Sequence, residues 1–107
     1  MAKQTMNELY TLVKNRFDNP TPESYSNYLF TKGRDKILKK LGEENTEVIL
    51  GAKNTKDELV FETADYLYHL MVLLVSEGVS LDDIETELGK RFGTQSRLKE
   101  RDDIATY

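Results

Sequence analysis

The sequence predicts an all-α protein, and three observations carry that reading. Apolar residues recur at helical spacing in successive stretches. No run alternates with the two-residue period of a half-buried strand. Most of the helical stretches begin or end at a recognisable cap or breaker. At 107 residues the chain suits one domain with a modest core. That domain is expected over residues 1–93. The polar, weakly periodic segment 94–107, "TQSRLKERDDIATY", is expected to be a tail, as a short helix or as frayed chain.

Taken in order, Thr5–Phe17 carries Leu9, Val13 and Phe17 with Met6 and Tyr10 at helical spacing, a first amphipathic helix. Asp18-Asn-Pro-Thr-Pro22 breaks it, because two prolines cannot continue a helix. Thr21, Pro22 and Glu23 then read as cap, first-turn proline and acidic first turn of a short second helix to about Phe30. Gly33 marks a joint. A long helix follows from about Arg34 to Lys53, although Gly42 and Gly51 each cost it about 1 kcal/mol against alanine. Thr55 with Glu58 is a capping box that opens a second long helix, ending at Glu77 with Gly78 in the left-handed conformation. Ser80 caps a last helix, Leu81–Phe92, with Asp82 and Asp83 in its first turn.

The second long helix is apolar nearly all round between Leu59 and Val75. Such a helix is covered on most sides, which predicts a subunit interface, most simply a symmetric dimer. Enclosure by the chain's own neighbours is the alternative reading. The two long helices are joined by a tight turn and should pack antiparallel.

Composition excludes several classes of function. A net charge of −4 argues against non-specific nucleic-acid binding. The chain has no cysteine, which rules out disulfides, zinc–thiolate sites and cysteine nucleophiles and fits a reducing compartment. The first residues lack the apolar run of a signal peptide, and no stretch reaches the ~18 uncharged apolar residues of a membrane span. A cytoplasmic location is expected.

The chemistry is carried by misplaced carboxylates. With about 100° per residue, Ile37, Leu41, Val48 and Ala52 fall within an arc of roughly 60° on the first long helix, and Glu44 lands on the same face. Glu47 lies at its edge and Glu43 a little further round. Burying an unpaired carboxylate costs several kcal/mol, so something must compensate Glu44. On the second long helix the polar stripe within the apolar body is Glu62, Asp65, His69 and Ser76. Glu47 and Glu62 have nearly equal setback from the turn at Asn54, so two i,i+3 acidic pairs should face each other across one groove.

Four or five carboxylates in a half-buried groove cannot all stay ionised without cations. They are hard oxygen ligands, and a single histidine with no cysteine argues against zinc or copper. Mg²⁺, with Mn²⁺ as a substitute, is the expected occupant, completed by a phosphate-bearing substrate. The bland alternative is ordinary surface charge, since Lys39–Glu43 and Lys40–Glu44 are i,i+4 pairs. That accounts for Glu43 but not for Glu44 on the apolar face or Asp65 between Ala64 and Tyr66. Upstream, "KGRDKILKK" puts Lys36 and Lys40 on the side of Glu43 and Glu47, suited to substrate phosphates. His69, one turn beyond Asp65, either orients that carboxylate or is a core histidine satisfied by a tyrosine or a carbonyl.

Glu43-Glu44-x-x-Glu47, fourteen residues, then Glu62-x-x-Asp65 resembles the EExxE…ExxD signature of the MazG-like all-α nucleotide pyrophosphohydrolases. The wider wording, "SYSNYLFTKG", "KILKKLGEENTEVILGAKN", "ETADYLYHLMVLL" and "GVSLDDIETEL", is similar to the stand-alone phosphoribosyl-ATP pyrophosphohydrolases over about Ser24 to Phe92. Asn45 and Gly51 stand where an alanine-like residue is more usual. The resemblance implies a MazG-like helical bundle built on two long antiparallel helices and completed by dimerisation. It implies Mg²⁺-dependent hydrolysis of phosphoribosyl-ATP to phosphoribosyl-AMP and pyrophosphate, the second step of histidine biosynthesis. By the same resemblance Glu44, Glu47, Glu62 and Asp65 are metal ligands, and Glu43 serves a further ion or the attacking water. The next pathway enzyme, the phosphoribosyl-AMP cyclohydrolase, is a partner the sequence leaves open. Two other functions share the acidic core: a house-cleaning hydrolase of nucleoside triphosphates, and a non-enzymatic dimeric module that binds metal.

Overall fold

The computed structural model describes residues 2–93, and the segment expected as a tail lies outside the described residues. Five helices follow one another: α1 Met6–Asp18, α2 Tyr25–Lys32, α3 Arg34–Asn54, α4 Lys56–Ser76 and α5 Leu81–Lys90. No strand occurs among the described residues. The protein is all-α, as its periodicity predicts.

The helix ends follow local chemistry. Thr5 and Ser80 each form a reciprocal capping box, with Glu8 and Asp83 as partners. Thr55 accepts from the Glu58 N–H at 3.1 Å, but the Glu58 carboxylate accepts from the Asn54 side chain instead of closing the expected box. The start of α2 differs from expectation. Its cap is Ser24, whose hydroxyl accepts from the Asn27 N–H, while Thr21 accepts at its carbonyl from the Ser24 N–H in the preceding turn. Thr21 and Pro22 thus shape a turn rather than open the helix. At the end of α4, Gly78 has φ +71°, Gly78 N–H donates to the Val75 carbonyl and Val79 N–H to that of Leu74. This is the Schellman arrangement that glycine favours. α5 stops at Lys90, two residues short of the expected Phe92.

α3 and α4 form an antiparallel hairpin about the single residue Thr55 and supply the largest packed surface. α1 lies against α4, and α2 fits among α1, α3 and α4. The core they enclose is Val13, Leu29, Ile37, Met71, Val72 and Val75. Gly51 is buried where the hairpin arms are closest, and a Cβ there would stand 3.1 Å from the Glu58 carbonyl oxygen. The glycine that departs from the usual alanine is therefore a contact point between backbones.

The hydrophobic coverage expected of α4 is incomplete within one chain. Val60 and Phe61 are 60% and 68% exposed, and on α3 Ile49 is 56% exposed. α5 contributes no buried residue; the turn before it is tied down by the Tyr10 hydroxyl, which donates to the Val79 carbonyl at 2.8 Å. By length and composition alone α4 qualifies as a membrane span, contrary to the sequence expectation. It is, however, the core helix of this bundle, and it carries Glu62, Asp65 and His69.

Candidate metal centre

The apolar stripe of α3 turns Ile37 into the core, and two turns later the same stripe turns Glu44 inward. Glu44 is 8% exposed and faces α4. Across the groove the i,i+4 pair Asp65 and His69 meets it. One ligand atom from each of Glu44, Asp65 and His69 lies within 4.8 Å of the others. Burial pushes the Glu44 carboxyl above the usual carboxylate range, and its hydrogen bond with Asp65 and the repulsion between the two push it further.

One turn closer to Thr55, Glu62 of α4 is also pushed upward, by burial first and then by Glu47 of α3, Asp65 and Glu58. The two acidic pairs thus meet across the hairpin. Glu43 and Glu47 lie at the exposed edge, and Lys40 Nζ stands 3.6 Å from both the Glu43 and the Glu44 carboxylates. Burial pulls the Lys40 ammonium down, but Tyr25, Glu44 and Glu43 outweigh it and raise its pKa. Lys36, half-buried one turn earlier, makes no ion pair among the described residues.

His69 is engaged by a carbonyl and a tyrosine, as the core-histidine alternative describes, and lies near the Asp65 carboxylate. It is 4% exposed. Its Nδ1 is 2.8 Å from the Asp65 carbonyl and 3.5 Å from an Asp65 carboxylate oxygen, and its Nε2 is 3.2 Å from the Tyr25 hydroxyl. Tyr25 was not singled out by sequence, nor was the hydrogen bond between Ser26 and the Tyr68 hydroxyl beneath it. Their signal lay in "SYSNYLFTKG", in a helix too short for its faces to be assigned by periodicity.

The donor set fits a hard divalent cation. The buried Glu44 carboxylate faces the half-buried Asp65 with, among the described residues, one nearby ammonium at long range, and the remaining donors are carboxylate oxygens. The imidazole is a poor candidate ligand, because both of its nitrogens already have partners.

Comparison with known proteins identifies the family. The family model for phosphoribosyl-ATP pyrophosphohydrolase matches residues 6–92. The chain is 61% identical to a phosphoribosyl-ATP pyrophosphatase of Leuconostoc mesenteroides over 103 residues, covering 96% of this chain and 90% of the relative. It is 60% identical to that of Lactiplantibacillus plantarum over 94% of this chain and 96% of the relative, and 53% identical to that of Lacticaseibacillus casei over 99% and 97%. An inward-facing carboxylate groove on an all-α hairpin, matched over most of its length by one family model, makes this chain a member of the phosphoribosyl-ATP pyrophosphohydrolase family.

Proposed function

We propose that the protein hydrolyses phosphoribosyl-ATP to phosphoribosyl-AMP and pyrophosphate, with Mg²⁺ held by Glu44, Glu47, Glu62 and Asp65. The observation that carries the metal is Glu44, buried against Asp65 with its carboxyl driven upward by that neighbour. The substrate comes from the family. Bound Mg²⁺ supplies charge neutralisation at the phosphates and a more acidic water.

The chain's own residues do the rest. Glu43, exposed beside Lys40 at the mouth of the groove, orients the attacking water and takes its proton. The water oxygen adds to phosphorus as the bond between the α- and β-phosphates breaks, and pyrophosphate leaves. Lys40 and Lys36 meet the phosphates, and Lys40 is freed from its long contacts with Glu43 and Glu44 to do so.

A second copy of the chain completes the bundle in this reading. The exposed apolar residues Ile49, Leu50, Val60 and Phe61 on the hairpin, with Ile84 and Leu88 on α5, support a homodimer, which sedimentation would reveal. The phosphoribosyl-AMP cyclohydrolase is the enzyme that would receive the product, and the cytoplasm the compartment.

The test is pyrophosphate release from phosphoribosyl-ATP and from a panel of nucleoside triphosphates, with Mg²⁺ and with EDTA. Chelator-sensitive turnover of phosphoribosyl-ATP is expected. Turnover of ordinary triphosphates alone would reassign the substrate to the house-cleaning class. Metal binding with no turnover of any nucleotide would leave a non-enzymatic module.

A further inference from the structure

The carboxylates lie at one end of a longer surface. Tyr25 begins beside them: its hydroxyl stands 3.2 Å from the His69 ring, which lies 3.5 Å from an Asp65 carboxylate oxygen. Tyr28 and Lys32 follow Tyr25 at i+3 and i+7 and so share its face of α2. That face leads away from the metal centre. Arg34, just past the end of α2, pairs at 3.3 Å with Glu77 at the end of α4, about 18 Å along that helix from Asp65.

The face is aromatic and cationic where the groove is acidic. The Tyr25 and Tyr28 rings are nearly parallel, 20° apart with centroids at 6.0 Å, and Tyr68 also stacks with Tyr25, at 6.1 Å. Even so, Tyr25 and Tyr28 remain 45% and 42% exposed. The Lys32 ammonium lies over the Tyr28 ring, 5.8 Å from its centroid. An ammonium over an exposed ring is held weakly, and a purine gains more from the same π-surface. Phosphoribosyl-ATP has its parts in the matching order: a triphosphate, a purine, and a second ribose with its own phosphate. With the triphosphate at the metal centre, the aromatic rings come next and Lys32 follows them.

We propose that Tyr28, with Tyr25 stacked on it, is the surface on which the substrate's purine lies, and that Lys32 leaves the ring to pair with the phosphate of the second ribose. This face of α2 then separates phosphoribosyl-ATP from an ordinary nucleoside triphosphate, which has no second phosphate to offer. The proposal rests on the substrate reading given above and adds the residues that select that substrate.

The probes are phosphoribosyl-AMP and AMP, which differ by the second ribose phosphate, titrated into the protein in Mg²⁺ and followed by calorimetry. Lys32→Met should weaken phosphoribosyl-AMP about fivefold, the scale of an exposed ion pair, and AMP less than about twofold. High salt should shrink that difference. Tyr28→Ala should weaken both nucleotides about fivefold or more, the lower end of stacking one base, and Tyr28→Phe should bind as wild type does. In turnover of phosphoribosyl-ATP the losses from Lys32→Met and Tyr28→Ala should fall on KM more than on kcat, as loss of uniform binding requires. Circular dichroism checks folding, which changes at these exposed positions should leave intact. Wild-type protein that binds phosphoribosyl-AMP no better than AMP overturns the proposal. So does Lys32→Met that weakens both nucleotides equally, or Tyr28→Phe as damaging as Tyr28→Ala. Turnover by wild type with KM unmoved in the variants leaves the function standing and overturns the proposal alone. If wild-type protein releases no pyrophosphate from phosphoribosyl-ATP, the function fails while the binding of the two nucleotides still decides the subsite.

Discussion

Glu44→Gln should make the metal-free protein more stable and the Mg²⁺-loaded protein less so than wild type. The ligand oxygens of Glu44 and Asp65 lie within 4.8 Å, a distance at which two unit charges repel by about 3.5 kcal/mol at an effective dielectric constant of ~20. Lys40 offsets part of this from 3.6 Å, but its side chain is 27% exposed and it also faces Glu43. A net gain of about 1–2 kcal/mol for the neutral amide remains. The direction of the pKa gives the same sign. A carboxyl raised in the folded state contributes stability that is present below its ordinary pKa and lost as pH rises through the raised value. Above that raised value the wild-type protein has lost the contribution, and glutamine restores it.

Each kcal/mol is worth about 4–8 °C in Tm for a domain of this size. Mg²⁺ at a hundred times its dissociation constant should add about 2.7 kcal/mol to wild type and much less to the variant. Melting curves by circular dichroism, in EDTA and in Mg²⁺, would therefore cross. A Glu44→Gln protein that melts at or below wild type in EDTA, or that responds fully to Mg²⁺, would refute the reasoning.

Three further outcomes are expected. Gly42→Ala meets open space and should stabilise the protein by up to about 1 kcal/mol, whereas Gly51→Ala puts a Cβ 3.1 Å from the Glu58 carbonyl oxygen and should destabilise by about 1–3 kcal/mol; denaturant melts that reversed this order would count against the close approach of α3 and α4. Mg²⁺ affinity should begin to fall above the ordinary carboxylate range as pH is lowered, because Glu44 and Glu62 take up protons early, Glu44 through burial and Asp65, Glu62 through burial and Glu47; calorimetry between pH 7.5 and 5.5 would detect it, and a flat profile would speak against these ligands. Tyr10→Phe should cost about 1 kcal/mol by releasing the turn before α5, with no effect on Mg²⁺ affinity measured by the same calorimetry.

The element plan was legible because its signals are local. Caps at Thr55 and Ser80, the glycine at position 78 and the spacing of apolar residues each act within a turn or two of their own position. The same locality misled at α2, where Thr21 and Ser24 are both capping residues followed by helix-compatible chain. Only the packing of α2 among α1, α3 and α4 selects Ser24.

The sequence by itself determined five helices, the family, and a pair of acidic i,i+3 motifs that must face one another. Setback from a shared turn is a one-dimensional quantity, so Glu44 could be paired with Asp65 and Glu47 with Glu62 before any coordinates. What the tertiary structure decided is how closely, and at what rotation, one helix meets another. Tyr25 reaches His69 over 44 residues, and Gly51 earns its place only from the backbone of α4. Such contacts depend on the rotation and closeness of packed helices, which no periodicity encodes, and at this site they bring the Tyr25 hydroxyl to the His69 ring.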